Sequence, residues 1–420
     1  MNDLRAAGDA LVGQILPHSI AGANVLDDFG SADASIGGAL CISMVAGETS
    51  GDLLAGLLLD GLLARWPTLT AVGIGGPQMA RRGFAAWWPH DKLSVHGYGW
   101  DVIRRYREIV GIREQLKSRL LQQRPNVFIG VDAPDFNLDL EAALKAQGIK
   151  TVHFVSPSVW AWRPERVDKI RRSVDHVLCV FPFEPALLAQ HGIDATYVGH
   201  PLANMIPMVP DRAGARAKLG LAESDQVVAI LPGSRRSEVK HLALRFFQAA
   251  ALIQKAQSAI KFIVPAIPSL RAEIEQAARA SGLGASLQVI EGQSHTVLAA
   301  CDVTLIASGT ATLEAALFKR PMVIAYRMGW LSWQIMRRKK LQPWVGLPNI
   351  LCREFVVPEL LQEAATPQAL ADAVLLWLDA QDLAPEKIVL LHQKFTALHS
   401  ELQRDTSQLA AHAIQQVLQG

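Results

Sequence analysis

From Ala39 onward, short apolar runs rich in Val, Ile and Phe alternate with segments whose apolar residues recur at helical spacing. The runs at 39–46, 69–74, 126–131, 150–155, 176–181 and 195–198 read as buried strands. The segments 50–65, 101–123, 137–147, 164–172 and 183–191 between them read as helices. A strand that is apolar on both sides needs cover on both sides, and repeated strand–helix units supply it, which predicts a parallel sheet between helical layers. The rhythm breaks at Gly199-His-Pro201-Leu, and a connector containing Pro, Asp and Arg runs to about Leu221. It then restarts, with strands at 226–231, 260–264, 286–290, 303–307 and 321–326 and helices at 238–257, 269–281, 294–300, 310–318 and 329–340. The tail from Pro367 is helical. The expected organisation is a domain over 39–205, a linker over 206–222, a second domain over 223–380, and C-terminal helices over 381–420. Those last helices would pack back on the first domain or on a partner subunit. Ligands of open parallel sheets bind beyond the carboxyl ends of the strands, so a two-lobed chain places its reaction in the cleft between lobes.

A chain of 420 residues, half of them hydrophobic, is long enough for two such cores. The 41 basic and 39 acidic residues nearly cancel, so no overall field recruits nucleic acid. Cys41, Cys179, Cys301 and Cys352 are far apart with no CxxC, which fits reduced thiols in a cytoplasmic protein rather than a disulfide framework or a zinc site. No apolar stretch reaches the roughly 18 residues of a spanning helix. Residues 1–38, rich in Ala, Gly and Asp, read as an extension without fixed structure; a secretory leader is the alternative, weakened by Gln14, Pro17 and His18 in its apolar patch.

Several motifs are missing. There is no GxxxxGK[ST] and no GxSxG, and Gly73-Ile-Gly75-Gly76-Pro-Gln78 has Gln where a dinucleotide fingerprint has its third Gly. Asp135-Phe-Asn137-Leu-Asp139 begins like a calcium loop but lacks the Gly and Glu that complete one.

What remains lies in turns after strands. Gly233-Ser234-Arg235-Arg236 follows the apolar run Val227–Leu231. Two guanidinium groups stand at the end of a helix dipole that prefers anions. Gly233 lets a ligand approach the backbone, Ser234 is able to cap the helix, and Arg235 is able to clamp a diphosphate; a solvated turn is the plain alternative. Ser308-Gly309-Thr310-Ala-Thr-Leu-Glu314 is a second small-residue turn opening a helix. Glu314 would accept from two ribose hydroxyls or merely complement the dipole. With Leu347-Pro-Asn349 as a third polar loop, the second half reads as a cradle for a nucleoside diphosphate.

In the first half, Gly47-Glu48-Thr-Ser50-Gly-Asp52 leaves the first strand. Gly130-Val-Asp132-Ala-Pro134-Asp135 leaves the strand at 126–131. Asp132 at a strand's carboxyl end is placed for general-base work; the alternative is an Asx turn, with Asp135 the better helix cap. Trp160 and Trp162 would floor an apolar pocket or pack the lobe. Trp330, Trp333 and Trp344 bracket Arg337-Arg-Lys-Lys340, which suits an anionic membrane interface or is an ordinary charged helix end.

Together these stretches resemble one family, the lipid-A-disaccharide synthases, which are inverting glycosyltransferases of the GT-B architecture. The resemblance rests on VAGETSGD (45–52), GVDAPDFN (130–137), VHFVSPSVWAWRPERV (152–167), FPFEPA (181–186), VGHPLA (198–203), LPGSRRSEV (231–239), ASGTATLEAAL (307–317), YRM (326–328) and LPNIL (347–351), in order from about Ala39 onward. It implies two Rossmann-type domains facing an interdomain cleft. It implies transfer of a 2,3-diacylglucosamine unit from its UDP donor to 2,3-diacylglucosamine 1-phosphate, with no metal or other cofactor. It also implies a cytoplasmic protein peripheral on the inner membrane, and a homodimer that exchanges C-terminal segments. Asp132 would take the acceptor proton and Arg235 would offset charge on departing UDP. Glu48, Ser50 and Asp52 would line the acceptor side, with Glu314 and Asn349 holding the nucleoside. Arg236 and His96 stand where relatives commonly have a small residue and a methionine, and the second departure bears on acyl-chain preference. A UDP-sugar epimerase or hydrolase of the same fold, or a binding protein that kept the fold without catalysis, are the competing readings.

Overall fold

The computed structural model describes residues 40–89, 93, 100–161, 164–283, 287–339 and 341–420. The extension expected over 1–38, and His96, lie outside them. The chain folds as two compact units: one runs to Pro201 and takes back Arg404–Gly420, and the other is Leu202–Gln403.

The first unit contains strands β1 (Cys41–Ala46), β2 (Thr70–Gly75), β3 (Ala85–Pro89), β4 (Val127–Val131), β5 (Lys150–Phe154), β6 (His176–Cys179) and β7 (Ala195–Tyr197), in the order β3-β2-β1-β4-β5-β6-β7. The second contains β8 (Val227–Leu231), β9 (Lys261–Ala266), β10 (Leu287–Glu291), β11 (Val303–Ala307), β12 (Met322–Tyr326) and β13 (Glu359–Leu361), in the order β10-β9-β8-β11-β12-β13. Every pairing is parallel. Each sheet winds outward in one direction and then returns to build the other side, so its order reverses once, at β1/β4 and at β8/β11.

Near-continuous apolarity, broken only by Thr304 in β11, is what puts β4, β8 and β11 at the sheet centres, where every residue is buried. The edge strands β3 and β13 carry no such signal: β3 is half-exposed and joins β2 through a register irregularity, and β13 has only three residues. The helix Arg236–Ala256 shows the complementary pattern. Its Val239, Leu242, Ala243, Phe246, Phe247, Ala250 and Ile253 recur at helical spacing and join the core formed by Ile230, Phe262 and Val264. The helix Thr49–Arg65 is apolar nearly all round, and the helix Thr406–Gln419 covers it. Gly61 allows that approach, since a Cβ there would lie 2.5 Å from the Ser407 carbonyl oxygen, and Ser407 Oγ donates to Leu57 O at 3.2 Å.

Two boundaries differ from the reading of the sequence. Residues 206–222 include the helix Arg212–Lys218, and its Arg216 is fully buried in the second unit. The segment 381–420 divides, with the helix Pro385–Leu402 in the second unit and Thr406–Gln419 in the first.

Candidate active site

β1 and β4 are the neighbours across the reversal of the first sheet, and their turns carry Glu48 and Asp132. The turns pack closely: a Cβ on Gly47 would lie 2.9 Å from Ala133 Cβ. Glu48 is exposed at the N-cap position of Thr49–Arg65, its side chain does not cap, and Ser50 is exposed in the first helical turn. Asp132 is half-buried at φ 52, followed by Ala133 at φ 44. Left-handed non-Gly residues cost on the order of 1–3 kcal/mol each and persist only where the surroundings hold them. Here Asp132 N donates to Phe154 O at 2.9 Å, and the buried Asn137 Nδ2 donates to Asp132 O at 2.8 Å. Ala133, not Asp135, is the N-cap of the helix Pro134–Lys145. Asp135 lies in its first turn, exposed and paired with Arg166. Asp139 is met by Arg113 at 2.9 Å and Lys169 at 2.6 Å, so the carboxylates that began like a calcium loop are neutralised by cations.

Asp52 does not serve the acceptor site expected of it. It is 1 % exposed, and its carboxylate accepts from Gly76 N (2.8 Å), Gln78 N (2.9 Å) and Met79 N (3.2 Å), anchoring the start of the helix Pro77–Ala80. Trp160 follows the packing alternative: its Nε1 donates to the buried Glu184 at 3.0 Å and its ring meets Phe181 and Phe183 edge-on. Trp162 lies outside the described residues.

In the second sheet the reversal is flanked by β8, which leads to Gly233-Ser-Arg235, and β11, which leads to Ser308-Gly-Thr310. Gly233 sits at φ 123 and a Cβ there would overlap Glu238. The Glu238 carboxylate accepts from Ser234 N (2.9 Å) and Arg235 N (3.2 Å). This corrects two expectations. Arg235, not Ser234, is the N-cap, and the amides expected to meet a phosphate are satisfied by a carboxylate of the same helix. The Arg235 side chain is 65 % exposed and 4.0 Å from Glu238 Oε1. Arg236 pairs with Glu273 at 2.9 Å.

Ser308 is committed internally, its N to Ala325 O and its Oγ to Val345 O. Gly309 and Thr310 are exposed at the helix start, and no atom comes within 4 Å of where a Gly309 Cβ would sit. Glu314 is half-buried in that helix, 3.8 Å from His295 Nε2. Asn349 corrects a third expectation. It is fully buried, Nδ2 donates to Val357 O and Glu359 Oε1 at 2.9 Å each, and Oδ1 accepts from Val356 N and Val357 N. With its amide fully used, Asn349 ties down a loop instead of holding a nucleoside.

The structure also brings forward residues passed over in the sequence. Burial raises the Tyr326 pKa, with Glu238 adding and Arg235 opposing, which puts its phenol in electrostatic range of the Gly233 turn. Burial and then the charge of Arg327 hold His241 and Arg245 below their usual values, marking a cluster of like charges. Behind Gly130, two residues before Asp132, stand Glu141 and His153. Polar residues within the apolar stretches 138–144 and 152–155 were the available signal for both.

Two doubly wound parallel sheets, each with a polar turn at its reversal, define an α/β protein of the GT-B type. Solved structures share that fold. UDP-GlcNAc 2-epimerase from Neisseria meningitidis, bound to UDP-GlcNAc, aligns with a TM-score of 0.58 at 12% identity over 91% of this chain and 99% of that one. Acinetobacter baumannii MurG aligns at 0.54 and 14% identity over 90% and 99%. A family model described as Lipid-A-disaccharide synthetase matches residues 42–414. Lipid-A-disaccharide synthase of Albidiferax ferrireducens is 83% identical over 91% of this chain and 98% of its own length. That of Verminephrobacter eiseniae is 66% identical over 92% and 99%. The chain belongs to the lipid-A-disaccharide synthase family and is a glycosyltransferase.

Proposed function

We propose that the chain transfers a 2,3-diacylglucosamine unit from its UDP donor to the 6-hydroxyl of 2,3-diacylglucosamine 1-phosphate, giving the β-1,6-linked disaccharide 1-phosphate and UDP. The observation that carries this reading is the placement of Asp132 and Arg235 on turns at the reversal of their sheets, where open parallel sheets bind ligands. The acceptor O–H gives its proton to the Asp132 carboxylate as its oxygen bonds to the anomeric carbon from the face opposite UDP. The bond from that carbon to the diphosphate oxygen breaks, and its electron pair leaves with UDP. The exposed Arg235 guanidinium offsets the charge that grows there. The diphosphate's counter-charge is assigned to this side chain because Glu238 already occupies the Ser234 and Arg235 amides. Glu48 and Ser50 line the acceptor side; Gly309, Thr310 and Glu314 contribute to the nucleotide side.

The purified protein with both acylated glucosamines, in detergent and EDTA, is expected to release UDP and disaccharide in equal amounts. UDP without disaccharide would favour an epimerase or hydrolase, and donor binding without turnover a binding protein. Asp132→Asn is expected to lower kcat by ~10²-fold or more at nearly unchanged donor affinity, and Arg235→Ala to weaken UDP binding and slow transfer. Wild-type turnover by Asp132→Asn would remove the base from the mechanism.

The cytoplasmic face of the inner membrane is the proposed location. Among the described residues no helix is long and apolar enough to cross a membrane. Peripheral contact is supported by Trp330, 70 % exposed, on the same helix as the exposed Arg337 and Arg338. A homodimer is proposed in which the segment after Gln403, which leaves the second unit to join the first, is exchanged between copies. Light scattering reads its mass, and a monomer at assay concentration refutes it.

A further inference from the structure

The turn that carries Asp132 rests beside a buried polar group that the reaction above does not use. Glu141, on the helix Pro134–Lys145, and His153, on β5, are both fully buried, and Glu141 Oε1 lies 2.7 Å from His153 Nδ1. Gly130 stands opposite His153 in the β4–β5 register, and its missing side chain is what makes room. A Cβ on Gly130 would overlap Glu141 Oε1 and lie 2.9 Å from Asn137 Cβ. Gly130, Asn137, Glu141 and His153 therefore form one polar knot in an otherwise apolar layer, and Asn137 is the residue that holds the Asp132 carbonyl.

The knot is not built for stability. His153 Nε2, Glu141 Oε2 and Asn137 Oδ1 are buried without a hydrogen-bond partner among the described residues. Each such atom costs about 1–3 kcal/mol, which apolar residues of similar size would not. The register shows which end of the pair lies nearer the turn: Gly130 faces His153, and Asp132 N donates to the carbonyl of the next residue, Phe154. Burial opposes charge on His153, but the charge and hydrogen bond of Glu141, with the charge of Asp132 added, hold the imidazole above its usual pKa. Burial pushes Glu141 up against the pull of His153 and Lys169. Both shifts favour the proton-bearing forms of the two groups.

We infer that the Glu141–His153 pair is a positioning group for Asp132: seated over Gly130, it fixes the imidazole in one orientation beside the left-handed turn and so holds the neighbourhood of the carboxylate constant. The inference rests on the general-base role of Asp132. The test is kcat and KM against pH for the wild type, His153→Gln, Glu141→Gln and Asp132→Asn, each with a melting curve. Both pair variants are expected to lose about tenfold in kcat while donor KM stays within about twofold. The acid limb of kcat is expected to move up by about one pH unit, because a carboxylate that loses a neighbouring imidazole able to carry positive charge keeps its proton to higher pH. Glu141→Gln retains a hydrogen-bonding partner for His153 Nδ1 and reports even where His153→Gln does not fold. An acid limb at the wild-type position in either folded variant overturns the inference, as does failure of both variants to fold, which leaves the pair a structural role alone. If Asp132→Asn is inactive and the limb does not move, the inference alone falls. If Asp132→Asn turns over at the wild-type rate, the base and its positioning group fall together.

Discussion

Arg216→Ala tests how the second sheet is held at the end remote from its Gly233 and Ser308 turns. The fully buried guanidinium makes six hydrogen bonds: Nε to Ala300 O, Nη1 to Ala222 O, Glu223 O and Asp225 O, and Nη2 to both Asp302 oxygens at 3.1 and 2.9 Å. Asp302 also accepts from Arg212 Nη2 and Val227 N, both at 2.8 Å, and its own N donates to Val227 O. The network thus joins the amino ends of β8 and β11, whose carboxyl ends lead to Gly233 and Ser308. Removing the guanidinium breaks four bonds to carbonyls and two to Asp302; Asp302 keeps two other partners, and Ala222 O keeps Asp225 N. Three of those bonds are partly accessible, so water recovers part of the loss, and a cost of ~3–5 kcal/mol is expected, the range for breaking a buried ion pair. At ~2–4 °C per kcal/mol for a unit of this size, calorimetry should show the second unit's transition fall by ~6–20 °C. Arg216→Lys should restore little, because an ammonium cannot reproduce the planar fork. Donor binding measured well below the new transition should be unchanged. A fall of less than ~2 °C, or lost donor affinity in the folded variant, would refute the reasoning.

Glu184 supplies a pH test. Burial pushes its carboxyl up to about 8 against hydrogen bonds from Trp160 and Phe181. The folded state therefore keeps a proton that the unfolded chain releases above about 4.5, so this stabilisation is complete below that pH and is lost as pH rises through about 8. Urea midpoints should fall across that window in the wild type and flatten in Glu184→Gln; an equally steep variant would place the dependence elsewhere. For the membrane surface, Trp330→Ser with Arg337→Ser should lower co-sedimentation with anionic vesicles several-fold and leave neutral vesicles unaffected. Equal recovery of variant and wild type on anionic vesicles would discard that face.

The central strands were legible because a strand buried on both sides is overwhelmingly apolar, and β4 and β8 meet that condition throughout, β11 at every residue but Thr304. The turns that follow these strands were legible for a related reason, since Gly47, Gly233 and Gly309 with polar neighbours stand where apolar runs end. Edge strands such as β3 were not, because one exposed side removes the signal. Side-chain roles divide the same way. The position of Asp132 at the end of β4 follows from chain order, whereas the commitments of Asp52, Ser308, Asn349 and the Ser234 amide depend on partners that folding brings close. Asp52 meets its partners 24 to 27 residues away. A sequence shows that a residue is able to accept or donate; only the packed structure shows whether a neighbour has already taken that capacity. The sequence by itself thus determined the class of fold and the family, and placed polar turns at the carboxyl ends of the central strands. The tertiary structure decided which polar atoms in those turns are spent on holding the protein together, because hydrogen-bond valence is finite and is allotted by proximity in space rather than along the chain.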